Sequence, residues 1–195
     1  MCENIMKLLF IHGFNSAGYG EKVNHLREAF GDENIINPTL PPNPKKAIQL
    51  LDYLVYHLND KNFCVVGSSL GAYYGLYLAK KFKIITVLIN PALKASELLK
   101  DYVGRQLNFK TNEEYTFKKS YLNELKKIEV SIEILKEIKE KLFIYMDEDD
   151  EVLDSKKTAE VFKDFYVKLF KGGNHSFAHM PELIADFKNS PGNNF

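Results

Sequence analysis

Cysteine is nearly missing from this 195-residue chain: Cys2 and Cys64 are the only two. Cys64 falls inside a strand-like apolar run, so no disulfide framework is expected and a reducing, cytoplasmic setting is the natural one. Excess charge is missing as well. The 26 Lys+Arg balance 26 Asp+Glu, which argues against a nucleic-acid or membrane partner. No apolar stretch approaches the ~20 residues that span a bilayer, and Met6-Lys7-Leu8-Leu9-Phe10-Ile11-His12 is too short and poorly organised for a signal peptide. The chain also lacks internal repeats and low-complexity blocks. Those absences leave an ordinary globular enzyme or binding protein.

What is present supports that class. Hydrophobic residues make up 45% and charged residues 27%, enough for a good core, most economically in one domain spanning 1–189. Short β-rich runs alternate with longer helical patterns, the signature of an α/β fold: an open, mostly parallel sheet with helices on both faces. Strands are expected at 6–11, 63–66, 84–89, 141–146 and 165–169, with a weak one near 34–37. Several are continuously apolar, as they must be when helices cover both faces of the sheet. Helices are expected at about 21–30, 45–59, 70–82, 96–103, 113–127, 132–140, 155–164 and 180–188. In the second of these, Ala47, Ile48, Leu51, Leu54, Val55 and Leu58 form one apolar face, and Pro44 suits an early helical position. Residues 93–140 exceed what a crossover needs and read as a short helical insert lying over the strand ends. Residues 190–195 read as a flexible tail.

Chemistry concentrates at strand ends. Gly67-Ser68-Ser69-Leu70-Gly71 joins the apolar run 63–66 to a buried helical pattern, so Gly-x-Ser-x-Gly is a candidate nucleophile elbow with Ser69 at its apex. The sharp turn demands small flanking residues, which Gly67 and Gly71 supply, and the following helix points its N-terminus at the serine. The same pattern also serves plain turns and phosphate loops. No Gly-Lys-Ser/Thr follows the glycines, so the phosphate loop is disfavoured.

A serine hydroxyl needs a base within hydrogen-bond reach. Of the five histidines, His25 and His57 lie on helical segments away from strand ends. His175, in Gly172-Gly173-Asn174-His175-Ser176-Phe177 after the last strand, fits the chain order serine, acid, histidine; His179 is set too far along, near a helix start. The base needs a carboxylate to fix its tautomer. Asp147-Glu148-Asp149-Asp150-Glu151 follows the 141–146 strand. It does not fit a calcium loop, because Val152 stands where that loop requires glycine. Within it Asp150 is favoured over Asp149 by register, while Asp154 suits the cap of the next helix. For an oxyanion, the donors would be the backbone N–H groups of Leu70 and Phe14. Gly13 would let its loop turn in over the site, and His12 would hold that loop by hydrogen bonds. Asn15 and Ser16 either line the mouth or cap the helix from Glu21, and Ser68 is a further possible lining residue. Neither a metal nor an organic cofactor is required.

Taken together, these residues resemble the α/β-hydrolase superfamily and, more narrowly, the small YqiA-type bacterial esterases. The likeness runs from Leu9-Phe10-Ile11-His12-Gly13-Phe14-Asn15-Ser16 through the Ser69 elbow, Ile89-Asn90-Pro91-Ala92, Tyr102-Val103-Gly104 with Glu113-Glu114-Tyr115, and Asp150-Glu151-Val152-Leu153-Asp154. It ends on Gly172-Gly173-Asn174-His175-Ser176-Phe177. The resemblance implies a cytoplasmic carboxylester or acyl-thioester hydrolase acting on a small molecule, with Ser69, Asp150 and His175 as the triad. Two departures stand out: Ala72 replaces a second glycine of the elbow, and Asp149 occupies a glycine position of the acid loop, which leaves the acid open between neighbours. A non-catalytic ligand- or partner-binding protein of the same fold, or a peptidase or acyltransferase with the same triad, are the alternatives. Leu93, Leu98, Leu99, Tyr102, Phe109, Tyr115 and Phe117 are available either for an acyl pocket or, for most of them, as core of the insert.

Overall fold

The structure, a computed structural model, describes residues 6–58 and 62–190. Six parallel strands form the main sheet: β1 (Lys7–Ile11), β2 (Ile35–Ile36), β3 (Phe63–Ser68), β4 (Ile85–Ile89), β7 (Leu142–Asp147) and β8 (Tyr166–Phe170), in spatial order β2-β1-β3-β4-β7-β8. Pairing is parallel throughout, with Ile11 opposite Gly67, Ser68 opposite Ile89 and Ile89 opposite Tyr145. The chain runs outward from β1 to β2 and then crosses back to β3. The order therefore reverses between β1 and β3, where loops leaving the carboxyl ends part and open a crevice.

Both faces of the sheet are covered, which explains the unbroken apolar runs. Along β1, Leu9 and Ile11 face α2 (Pro44–Leu58) and α3 (Leu70–Phe82), whereas Leu8 and Phe10 face α1 (Glu21–Phe30) and α8 (Met180–Lys188). On β3, Val65 packs with the first group, Cys64 and Val66 with the second. Cys64 is buried and free, and Cys2 lies outside the described residues. The expected spans of α1, α3 and α8 match residue for residue. α2 starts one residue early, on Pro44 as its fixed φ favours, and the expected end at 59 lies outside the described residues. α7 is shorter than expected, Ser155–Val161, because Phe162 closes it with a non-helical turn.

The insert departs from expectation. After α4 (Ala95–Leu98) and a 3₁₀ turn at Lys100–Tyr102, residues Gly104–Leu107 (β5) and Glu114–Phe117 (β6) form an antiparallel hairpin. The helix expected over 113–127 is thus only α5 (Lys119–Lys127), and that expected over 96–103 breaks at Leu99. The insert is half hairpin rather than helical. Glu114-Tyr115-Thr116-Phe117 alternates with strand period, Phe117 inward and buried, and Tyr, Thr and Phe suit a pleated surface. The turn is held by Asn108, whose side-chain oxygen accepts from the Lys110 and Thr111 amides, with Asn112 at φ 56°. The 132–140 helix also breaks: α6 (Ile132–Leu135) gives way to a 3₁₀ segment, Lys136–Lys141, with Ile138 at φ −130°. At the C-terminus Ser190 is not frayed. It is buried and donates its hydroxyl to the Asp186 carbonyl at 2.9 Å; residues 191–195 lie outside the described residues. No described helix is long and apolar enough to cross a membrane.

Candidate active site

Ser69 leaves β3 at φ 55°, ψ −116°, a left-handed conformation that costs an L residue of order 1–3 kcal/mol and persists only under constraint. The constraints are on both sides. The Ser69 N–H donates to the Ile89 carbonyl at 2.9 Å, while its carbonyl accepts from Ala72 at 3.0 Å and from Ala92 at 3.3 Å. Close approach, rather than unusual φ, dictates the flanking glycines. A Cβ on Gly67 would fall 2.4 Å from the Gly71 carbonyl oxygen, and one on Gly71 would fall 2.0 Å from that of Ile11. Ala72, one residue on, is fully buried, and its methyl is accommodated.

Across the crevice, His175 Nε2 lies 3.0 Å from Ser69 Oγ, and His175 Nδ1 lies 2.8 and 3.0 Å from the two Asp150 carboxylate oxygens. The carboxylate can only accept, so the imidazole hydrogen sits on Nδ1 and Nε2 is free to take the serine proton. Asp150 also accepts from the Val152 and Leu153 amides, each at 2.8 Å, and its side chain is shut off from solvent. Burial alone raises its pKa, but the hydrogen bonds from His175 and from those two amides outweigh it and hold the carboxyl below its ordinary value. Asp149 is exposed and its amide donates to the Gly172 carbonyl. Of the two neighbours it is the Asp150 carboxylate that faces the imidazole. Asp154 caps α7 by accepting from the Lys157 amide at 2.9 Å.

His12 is buried. Its Nδ1–H donates to the Gly13 carbonyl at 2.8 Å, and its Nε2 accepts the Leu40 amide at 2.9 Å. Burial depresses its pKa, with the Gly13 contact opposing, and the two hydrogen bonds tie the loop to Leu40. Gly13 then passes so close that a Cβ there would lie 3.3 Å from Ser69 Cβ. Asn15 and Ser16 do not cap α1, whose N-cap is Gly20 with no side-chain bond; they line the mouth. Asn15 takes its positive φ of 51° because it is clasped by the hairpin. Its side chain donates to Gln106 and accepts from the Tyr115 hydroxyl, and its carbonyl accepts the Phe109 amide. Among the described residues neither the Phe14 nor the Leu70 N–H has an acceptor, and both residues border the cavity in front of Ser69.

That cavity is about 610 Å³. Of the insert's apolar residues, Leu98, Leu99, Tyr102 and Phe109 line it, as does Ser68 at the end of β3. Leu93 and Phe117 are core, and Tyr115 serves the Asn15 clasp. Among the described residues no group of three or more His, Cys, Asp or Glu side chains could hold a metal ion.

Sequence reasoning missed the residues that hold the His175 loop. Asp147, fully buried at the end of β7, accepts from the Asn174 amide (3.1 Å), the Ala178 amide (2.7 Å) and the His179 ring (2.7 Å). A Cβ on Gly173 would collide with it, so that glycine answers to Asp147 as much as to its φ of 79°. Asn90 donates its amide to the Asn174 and His175 carbonyls and accepts from the Asp147 N–H. Glu151 accepts the His175 amide at 2.9 Å. The available signals were the acidic run starting inside a strand and the Asn-Pro-Ala turn.

With this geometry in hand, a model described as an uncharacterised protein family (UPF0227) matches residues 7–189. The chain belongs to that family. A UPF0227 protein of Shewanella sp. (strain MR-4) is 28% identical over 193 residues, covering 91% of this chain and 97% of the relative. Solved structures show what the UPF0227 chain looks like in three dimensions. Alpha/beta hydrolase domain-containing protein 10 from mouse superposes with a TM-score of 0.70 at 15% identity, over 94% of this chain and 88% of the other. Est1E from Butyrivibrio proteoclasticus gives 0.69 at 15%, over 96% and 87%. A monoacylglycerol lipase of Paleococcus ferrophilus gives 0.68 at 14%, over 92% and 91%. The UPF0227 chain has the α/β-hydrolase fold, as the sequence led us to expect.

Proposed function

We propose that this protein is a serine hydrolase that cleaves carboxylic esters or acyl thioesters of small molecules through an acyl-enzyme, with Ser69 as nucleophile, His175 as base and Asp150 as its orienting acid. The observation that carries this reading is the unbroken hydrogen-bond series from Asp150 through His175 to the Ser69 hydroxyl, 2.8 and 3.0 Å long at its two links. As Ser69 Oγ attacks the carbonyl carbon, its proton passes to His175 Nε2, and the imidazolium is stabilised by Asp150 across Nδ1. The carbonyl oxygen takes up the negative charge facing the Phe14 and Leu70 N–H groups, at the start of α3 where partial positive charge gathers. Collapse of the tetrahedral species breaks the bond to the leaving oxygen or sulfur, which receives the proton from Nε2. Water then repeats the sequence in reverse and frees Ser69. Structural relatives that include a monoacylglycerol lipase and Est1E with ferulic acid bound support an ester as the bond attacked.

A chain-length series of p-nitrophenyl esters and acyl thioesters tests the proposal. Ser69→Ala should lower kcat by at least about 10⁴-fold while moving the melting temperature by no more than about 2 °C. A Ser69→Ala protein that retains wild-type turnover rejects it.

A further inference from the structure

The cavity in front of Ser69 does not stand alone. A second cavity of about 540 Å³ lies between α1 and the 176–180 segment, and the two share Gly13, Ser16, Lys22, Ser68, Lys110 and Ser176 along their borders. Two lysines therefore border both cavities. Lys22 comes from the first turn of α1 and is partly buried. Lys110 comes from the hairpin turn and is exposed, but its backbone is anchored: its amide donates to Asn108 Oδ1 at 2.9 Å, its carbonyl accepts the Tyr19 hydroxyl at 2.8 Å, and the preceding Phe109 amide is bound to Asn15. Its Nζ lies against Gly20, where an added Cβ would be 3.6 Å away. Neither ammonium has an ion-pair or hydrogen-bond partner among the described residues. Glu21 borders the second cavity but pairs with neither.

Burial without a partner penalises the Lys22 cation; Glu21 offsets some of that, Lys110 adds to it, and Asp147 opposes it from a distance. A cation held partly out of water and unpaired gains from an arriving anion. Leu98, Leu99 and Tyr102 line only the cavity in front of Ser69, not the second one, and make that part of its wall apolar. Ser176, which borders both cavities, directly follows His175, the residue that hands a proton to the leaving atom. A departing group that takes its proton from His175 would leave past Ser176, toward the cavity that the two lysines border.

We propose that Lys22 and Lys110 form an anion subsite, and that the substrates are amphiphilic esters or thioesters with an apolar acyl part and a carboxylate or phosphate on the departing part. The inference rests on the serine-hydrolase reading and narrows its substrate class. Three butyrate esters of matched phenols test it, one neutral with a para carboxamide, one with a para carboxylate and one with a para phosphonomethyl group. They are assayed with the wild-type protein, Lys22→Gln and Lys110→Gln. In the wild type, kcat/KM for at least one charged ester should exceed that of the neutral ester by about tenfold, the worth of one charge-assisted contact. Each lysine variant should lose most of that ratio, and added salt should erode it in the wild type; the better of the two charged esters identifies the anion. Hydrolysis of the neutral ester with a charged-to-neutral ratio near one, unmoved by either substitution, overturns the anion subsite alone. No Ser69-dependent hydrolysis of any ester overturns the hydrolase reading and this inference with it.

Discussion

Asp147 accepts three N–H donors from the 174–179 segment, although it never touches Ser69. It braces His175 from both sides of the chain, through the residue before it and through two that follow. Removing such a carboxylate leaves buried donors unpaired, which costs roughly 1–3 kcal/mol for each group so exposed. Asp147→Ala should therefore lower stability by about 3 kcal/mol, and it should reduce kcat by about 10²-fold with a smaller change in KM, since a loosened base mispositions the proton transfer. Asp147→Asn should restore most of both: its amide oxygen can serve the two backbone donors, and its NH₂ can face His179 in the other tautomer. Equal loss in both variants would show that charge, not hydrogen-bond geometry, is what matters there. At this scale the sequence pointed to Ser69 and His175 as candidates, because each follows a strand in the order the chemistry requires, and narrowed the carboxylate to Asp150 or its neighbour Asp149. It did not carry Asp147 or Asn90, whose partners lie 27 and 84 residues away along the chain.

Elements divide in the same manner. α1, α3 and α8 were legible to the residue because local signals bound them: apolar periodicity inside, and Gly20, Ser69 and His179 at their starts. The β5–β6 hairpin was not legible, since a four-residue strand draws its stability from the partner strand and from Phe117 packing against the distant Phe14 as well as the nearby Tyr121, a context that propensity alone does not record. The elbow is the element whose sequence requirement is strictest. Gly71→Ala drives a methyl to 2.0 Å from the Ile11 carbonyl, so β1 and α3 must separate, at about 3 kcal/mol or more. Gly75→Ala, one turn on, meets side-chain methyls rather than backbone, those of Leu88 and Thr86 at 3.3 Å and of Val65 at 3.8 Å, and should cost under about 1 kcal/mol. Urea unfolding of the two variants checks the contrast; indistinguishable midpoints would mean that the elbow is looser than its geometry indicates.

For the molecule as a whole, the site exists only where segments from the ends of β1, β3, β7 and β8 meet. The reversal of strand order between β1 and β3 opens the crevice, and the hairpin turns back onto the Gly13–Ser16 loop to wall it. Ser69 reactivity should accordingly track the global fold. Labelling by a fluorophosphonate should fall along the urea transition in step with far-ultraviolet circular dichroism, and the unfolded chain should not react. Adduct formation that survives unfolding would mean an intrinsically reactive serine rather than an assembled one.

Composition and pattern alone determined that this chain makes a helix-wrapped parallel sheet, and that Ser69, Asp150 and His175 each emerge at its carboxyl edge. Those are consequences of apolar periodicity and of turn chemistry, which act over a few residues. The tertiary structure alone decided which neighbouring aspartate faces the imidazole, that the insert folds half as a hairpin, and that Lys22 and Lys110 border the same cavity as Ser69. Each of these depends on contacts between separate segments, a short span apart in the hairpin and tens of residues apart elsewhere, where backbone amides and side chains must satisfy one another in space and no local pattern records the partner.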